Sequence, residues 1–294
     1  MKKIISIILS LSLIAISLAG CSKVKEITFK PDIPKGDIGA VSFNVAAPWG
    51  NLLDGTSSSA RVKRFASYMN SVKPDVIGTQ EMNSDWLSKL EELMPDYSSY
   101  GVKRGGDDNE KKSEINAVFW LKDKYECVEK NTFWLSETPD TESKYEGAGC
   151  YRICTYVMLR DKESDKYILH MNTHLDNASD EARVYGAQVI MDKLNEIKMT
   201  SAVNHFSVVL TGDFNDIETS NPVKTVSSTL TSCSSANPEN KKSSYTDWGK
   251  LENEGEPIDF IFTDAEAVGY VVLDDTTNGL VSDHYGVYSS IVLS

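Results

Sequence analysis

The chain is poor in the residues that staple small folds together. Five cysteines and four histidines are spread over 294 residues. Cys150 and Cys154 stand four apart in a strand-like run, which sets their α-carbons roughly 13 Å apart and forbids a bridge between them. No second cysteine pair and no close histidine pair accompanies them, so a structural zinc site is disfavoured. Cys127, Cys150, Cys154 and Cys233 are therefore expected as buried free thiols. Basic residues are also scarce: 30 Lys and Arg face 43 Asp and Glu, for a formal net charge of −13. Long nucleic acids are bound by cations that neutralise phosphates, so this balance disfavours them as ligands. No Gly-x-Gly-x-x-Gly follows the first strand, which argues against a dinucleotide fold. The longest apolar run, Ile4 to Leu18, is broken by serines and shorter than the roughly 20 residues of a membrane span.

That run follows Met1-Lys2-Lys3 and ends in small residues, so residues 1–20 read as a secretory signal peptide. Leu18-Ala19-Gly20-Cys21 resembles a bacterial lipobox. The resemblance implies cleavage before Cys21, a lipid on its sulfur, and an extracytoplasmic lipoprotein anchored to a bacterial membrane. Residues 21–37 then form a tether, stiffened by Pro31 and Pro34. Residues 38–294 read as a single domain, because no linker or repeat interrupts them.

Within that domain Ile38–Val45 is a strand. Val62, Phe65, Ala66, Met69 and Val72 form a helical stripe over 57–72, and Trp86, Leu87, Leu90 and Leu93 another over 84–94. Strands are expected at 76–78, 97–102, 115–121 and 125–135, and a hairpin at 152–159 and 167–173, with an exposed loop at 105–109. The longest helix is predicted over 179–197, with a short one at 222–230. A polar loop is expected at 231–242, and further strands at 206–210, 258–262, 267–273 and 285–293. Strands outnumber helices and helices fall between strands in both halves. This favours an α/β sandwich, two sheets face to face with helices outside, over a doubly wound sheet.

Polar clusters sit at the ends of these strands. Glu81 follows the apolar run 76–78, where it is either a solvated loop residue or a cation ligand. In Thr211-Gly212-Asp213-Phe214-Asn215 an extended backbone would turn Asp213 and Asn215 to one side and Phe214 to the core; an Asx-turn closing the strand is the alternative. Asp259 is an ionisable residue inside an apolar strand, which calls for a partner. His284 supplies one, either as a stabilising pair or as a carboxylate that orients a working imidazole. His174 ends another apolar strand, whereas His170 and His205 read as structural.

Asn44 in the first strand, Gln80-Glu81, Thr173-His174-Leu175, Gly212-Asp213-Phe214-Asn215, Asp259, and Ser282-Asp283-His284 follow one another in a set order. Together they resemble the endonuclease/exonuclease/phosphatase superfamily, over Ile38 to Leu293. The resemblance implies a four-layered α/β sandwich of two mostly antiparallel sheets, and metal-dependent hydrolysis of a phosphoester. It implies Mg2+, with Mn2+ as a substitute, held by Glu81 with Asn44 and Asp283 near it. His284, oriented by Asp259, would be the general base or a phosphate contact, and Asp213 would position the water. His174 and Asn215 would contact the phosphate. Asn116 matches a family position near the phosphate. Arg152 is a candidate anchor for an oxyanion or a surface ion pair, and Trp134 a stacking or a core residue. Loops 103–114, 139–150 and 231–257 would line the cleft.

The expected substrates are a small phosphoester, a sugar phosphate or a lipid head group, handled by a monomer. A secreted nuclease of the same fold is the first alternative. A solute-binding lipoprotein without activity is the second, but it has no need of an Asp–His pair beside a Gly-Asp-x-Asn cluster.

Overall fold

A computed structural model describes residues 30–47, 57–106, 113–251 and 255–294. The signal-peptide reading, Cys21, the tether up to residue 29 and positions 107–109 of the expected loop lie outside the described residues. No described helix is long and apolar enough to cross a membrane.

Two six-stranded sheets pack face to face. The strands are β1 (Ile38–Asn44), β2 (Val76–Gln80), β3 (Tyr97–Tyr100), β4 (Val118–Leu121), β5 (Tyr125–Trp134), β6 (Ile153–Asp161), β7 (Tyr167–His174), β8 (Ser207–Asp213), β9 (Thr231–Ser232), β10 (Asp259–Thr263), β11 (Glu266–Leu273) and β12 (Gly286–Val292). The first sheet runs β11-β12-β1-β2-β4-β3 and the second β5-β6-β7-β8-β10-β9. Each sheet is antiparallel except for one parallel pair, β1 with β2 and β7 with β8. The helices α1 (Ser58–Val72) and α2 (Ser84–Leu93) cover the first sheet, and α3 (Asp180–Thr200) and α4 (Asn221–Ser227) the second.

The alternation along β1 shows how the layers form. Ile38 and Ala40 point between the sheets, while Val41 and Phe43 point under α1 beside Phe65. Both faces are covered, so the strand is apolar along most of its length. The helices begin where the chain supplies caps: Ser57 Oγ accepts from the Ala60 N–H, Asn83 Oδ1 from Trp86, and Ser179 Oγ from Ala182.

At one end of the sandwich the space between the sheets is polar. Gln80 Nε2 donates to Asn172 Oδ1 at 2.7 Å, Asn172 Nδ2 donates to the Thr79 and Ala117 carbonyls, and His170 Nε2 lies 2.9 Å from Thr211 Oγ1. Burial drives the His170 pKa down to about 3, so its ring is neutral. This layer requires Gly78. A β-carbon there would stand 2.6 Å from Asn172 Oδ1 and collide with Thr211 Oγ1. Gly78→Ala is expected to cost on the order of 2–4 kcal/mol, more than ordinary overpacking, because both neighbours are held by hydrogen bonds. Urea unfolding of the two proteins measures it.

Three local expectations change. Only Val118–Leu121 of the strand expected at 115–121 is a strand; Ile115 instead bridges Met82 and Lys103. The polar loop expected at 231–242 holds β9 and two 3-10 turns, with Cys233 buried between the sheets. Its serines hide this, because their hydroxyls bond one another, as Ser232 with Ser234. Two of the thiols expected as buried, Cys127 and Cys150, are only partly so, while Cys154 and Cys233 are buried; all four are free.

Candidate active site

Strand register assembles the site. Asn44 pairs with Gln80 across the parallel β1–β2 ladder, and His174 with Asp213 across the parallel β7–β8 ladder. Asp259 opens antiparallel β10 directly opposite Asp213. The carboxyl ends of one parallel pair from each sheet thus meet at the polar end of the sandwich, where loops converge.

Asn44 ties two carboxylates together. Its Nδ2 donates to Glu81 Oε1 at 3.0 Å and to Asp213 Oδ2 at 2.9 Å. Its Oδ1 accepts from the Ala46 N–H at 3.0 Å, which fixes the amide's orientation. Asn44 thus stands beside the carboxylates, with its oxygen bonded to backbone and its nitrogen facing Glu81 and Asp213. Glu81 Oε2 accepts from the Ala47 N–H at 2.8 Å. Glu81 adopts φ 59°, a left-handed conformation uncommon outside glycine, which marks a position held by its surroundings.

Asp213 and Asn215 do meet at the site, but not through an extended backbone. β8 ends at Asp213, Asn215 has φ 51°, and its N–H donates to Asp213 Oδ1 at 2.8 Å. The Asx-turn and the shared site are the same feature. Phe214 packs into the core against Phe260 and Phe262. Asn215 Nδ2 donates to the Leu175 carbonyl and lies 3.0 Å from His174 Nε2.

His284 Nδ1 lies 2.8 Å from Asp259 Oδ2, and its Nε2 3.8 Å from Asp213 Oδ2. Burial pushes its pKa down, but Asp259, then Asp213 and Asp283, raise it to about 10. Burial and then the Asp259 charge push Asp213 up to about 7, against His284 and the Asn44 donor. His174 is held well below its usual range by burial and by the Arg152 and Arg104 guanidiniums. The site therefore contains one imidazolium, one neutral imidazole and a carboxyl poised near neutrality. Asp283 is also raised, by burial and by the Glu81 charge.

The shifts of His284 and Asp213 carry one sign for stability. The folded state holds more protons than the unfolded chain from pH 3.8 to about 7 through Asp213, and from 6.5 to about 10 through His284. Stability that is full below these ranges is lost as pH rises through them. The buried, neutral His170 and His174 act with the opposite sign below their ordinary range, so in the presence of a chelator the Tm is expected to fall from about pH 7 to about pH 10. Calorimetry over a pH series measures it, and a flat profile would contradict the shifts.

Glu81, Arg152, His174, Asp213, Asn215, Asp283 and His284 border one cleft of about 510 Å³. Asn44 and Asp259 stand one hydrogen bond behind it. Asn116 is not among the bordering residues; its Nδ2 donates to the Ile153 carbonyl at 2.9 Å and ties the two sheets. Arg152 is no surface ion pair. It is 7% exposed, with Nε 3.7 Å from Asp176 and Nη2 3.2 Å from Asn177 Oδ1. Trp134 does not border the cleft, and its Nε1 donates to the Arg104 carbonyl. A larger depression of about 680 Å³, near Tyr167, His205 and Ser294, lies at the opposite ends of β7 and β8, away from these groups.

Two sets of side chains have the donors for a cation. Asp213, Asp259 and His284 gather ligand atoms within 4.8 Å of one another. There, however, His284 Nδ1 and Asp259 Oδ2 are already bonded to each other. Glu81 and Asp283 offer carboxylate oxygens at the cleft wall, the donor type that suits a hard divalent ion.

Sequence reasoning missed Arg61, which is 1% exposed on α1. Nη1 donates to the Val45 and Val281 carbonyls at 2.6 and 3.0 Å, and Nη2 to Ala46 at 3.1 Å. The Trp86 and Trp248 rings lie 4.9 and 5.2 Å from the guanidinium. The side chain thus clasps the loop after Asn44 to the loop before Asp283. Arg61→Met is expected to cost about 2–4 kcal/mol, since it strands three buried carbonyls; urea unfolding reads it. The cleft residues Arg104, Glu114, Gly149, Cys150 and Tyr245 also carried no individual signal, although their loops were expected to line the cleft.

Residues 41–284 match the Endonuclease/Exonuclease/phosphatase family. The chain belongs to that family. Similar solved structures agree. A mannosyl-6-phosphatase of Bacteroides thetaiotaomicron is 29% identical, with 87% of this chain and 99% of that one covered and a TM-score of 0.79. A Bacteroides vulgatus member of the family is 28% identical over 88% and 100% of the two chains, with a TM-score of 0.78. The human Nocturnin catalytic domain shares the fold at 17% identity, with 89% and 96% covered and a TM-score of 0.68. No protein among the curated ones matches the chain. The family and the mannosyl-6-phosphatase support phosphoester hydrolysis as the chemistry of this cleft.

Proposed function

We propose that this protein is a magnesium-dependent phosphatase of small sugar phosphates, carried outside the cytoplasm on a lipid at Cys21. The observation that carries the reading is the meeting of the Glu81–Asn44–Asp213 and Asp259–His284 groups on one cleft. The Bacteroides thetaiotaomicron mannosyl-6-phosphatase, at 29% identity, supports the substrate class.

Glu81 and Asp283 would hold Mg2+, or Mn2+ in its place, which offsets the charge that builds on the phosphoryl oxygens. Asn44 holds Glu81 and Asp213 in register. Asp213, near neutrality and bonded to the Asn44 amide, takes the proton of the attacking water. His284, charged and steadied by Asp259, donates to a phosphoryl oxygen through Nε2. Asn215 donates beside it, neutral His174 packs against the phosphate, and Arg152 anchors the ester from the opposite wall.

The chain enters the domain at Ile38 and reaches the site at Asn44, at the far end of β1, roughly 20 Å on. The acidic chain disfavours long nucleic acid.

The test is purified residues 22–294 assayed with and without Mg2+ on a sugar phosphate, an inositol phosphate, a mononucleotide, a sphingomyelin-type lipid, and single- and double-stranded DNA. Metal-dependent phosphate release from the sugar ester supports the reading. Turnover confined to DNA would make the protein a nuclease instead.

A further inference from the structure

Asp176 is a buried carboxylate to which the phosphate chemistry gives no task. It is 1% exposed and stands just past the end of β7, two residues after His174. The segment that carries it is pinned from several sides. The Leu175 N–H donates to the Asp213 carbonyl, Asn215 Nδ2 to the Leu175 carbonyl, and Arg183 Nη1 to the Asp176 carbonyl at 3.0 Å.

The two carboxylate oxygens serve different loops. Oδ1 accepts from the Ala178 and Ser179 N–H groups at 2.9 and 3.0 Å, which closes the turn into α3. Oδ2 accepts from the Gly149 N–H at 3.0 Å and stands 3.7 Å from Arg152 Nε. Burial pushes the Asp176 pKa up, but the Ala178 and Gly149 N–H groups and the Arg152 charge bring it below the ordinary carboxylate range. The group is therefore charged at neutral pH. Closing the turn needs one oxygen, which Asn or Ser would also supply. The second oxygen and the negative charge are turned toward the 149–152 segment.

Arg152 is gripped along one edge. Nε faces Asp176, and Nη2 donates to Asn177 Oδ1 at 3.2 Å, while the side chain borders the cleft. A planar fork held at two of its nitrogens keeps one orientation. Its charge reaches the reacting groups, since after burial it is the main cause that keeps His174 neutral. An oxyanion anchor depends on that orientation, because the fork bonds two oxygens only when its N–H groups are aimed at both. A carboxylate behind the fork also offsets the cost of holding the cation buried before a phosphate arrives.

We propose that Asp176 is a positioning residue that aims Arg152 at the substrate phosphate. This rests on the phosphoesterase reading of the cleft, in which Arg152 anchors the ester.

The experiment is a double-mutant cycle on purified residues 22–294, with Asp176→Asn, Arg152→Met and the two combined. Melting curves verify that each protein is folded. The readouts are the Kd of inorganic phosphate by titration calorimetry with Mg2+, and kcat/KM on mannose 6-phosphate. Each single variant is expected to weaken both by about 10–100-fold, the scale of a lost charge-assisted hydrogen bond. The combined variant should lie within about threefold of Arg152→Met, because the carboxylate acts through the guanidinium. A carboxylate that only holds the fold would weaken the native and the Arg152→Met protein alike. A loss that persists in full on the Arg152→Met background overturns the positioning role, as does an Asp176→Asn protein within about threefold of the native one. Either result leaves the phosphoesterase reading standing. Asp176→Ser, which also closes the turn, or Arg152→Gln stands in for a variant that does not fold. Failure of both Asp176 variants to fold assigns the carboxylate to the fold and overturns the role. A native protein that hydrolyses neither mannose 6-phosphate nor p-nitrophenyl phosphate, with Mg2+ or Mn2+, overturns both readings.

Discussion

Asp213→Ala and His284→Ala are each expected to lower kcat by about 10²–10⁴-fold, the usual range for a lost proton acceptor or an oriented donor to the transition state. Asp213 is raised to about 7, so it can take a proton near neutral pH, and His284 is held charged by the carboxylates around it. The two should not add. Their ring nitrogen and carboxylate oxygen lie 3.8 Å apart, and groups acting as one unit lose most of their effect with the first substitution. Asp259→Asn is the finer probe. An amide oxygen can still accept from Nδ1 and hold the ring, but it cannot stabilise an imidazolium. Turnover should fall at neutral pH, with a smaller loss of stability than Asp259→Ala causes. Native turnover in Asp259→Asn would make the pair purely structural and leave the chemistry with Asp213. Steady-state kinetics on the best ester of the panel decides it.

Glu81→Gln is expected to remove the response to Mg2+ by two independent readouts. The first is activity, which should fall by at least about 10²-fold at any Mg2+ concentration. The second needs no substrate. A ligand that binds only the folded state stabilises it by about 2.7 kcal/mol at a hundred times its Kd. Mg2+ should therefore raise the melting temperature of the native protein and leave that of Glu81→Gln unmoved. The carboxylate is needed for its charge, because Gln keeps the shape and the bond from Asn44 Nδ2 but offers one neutral oxygen. An equal Mg2+ shift in the two proteins would move the cation to the Asp213, Asp259 and His284 cluster.

Much of this arrangement was legible from residue order. Apolar runs marked many of the strands because these are covered on both faces, as β1 and β8 are throughout. In the structure Ser57, Asn83 and Ser179 cap the helices where the apolar stripes begin. Polar residues at strand ends stood out against those runs, which is why Glu81, His174, Asp213 and His284 could be named. Asn116 could be named too; its Nδ2 donates to the Ile153 carbonyl, a contact between sheets that no spacing reveals.

What stayed hidden depended on neighbours far apart in the chain. Arg61 sits in an amphipathic helix, where a basic residue reads as solvated; only the carbonyls at Val45, Ala46 and Val281 explain its burial. Arg104 and Glu114 flank a polar loop and look alike to many surface charges. Gly78 resembles any glycine in a strand until the second sheet places Asn172 and Thr211 against it.

Side-chain period is a local property, so residue order alone decided which segments extend, which coil, and which polar groups stand at their ends. Pairing is not local. The registers of β1 with β2 and of β7 with β8, and the face-to-face packing of two sheets, decided which of those groups meet. Only that packing set the Asn44 amide between two carboxylates, a bond that spans 169 residues of chain.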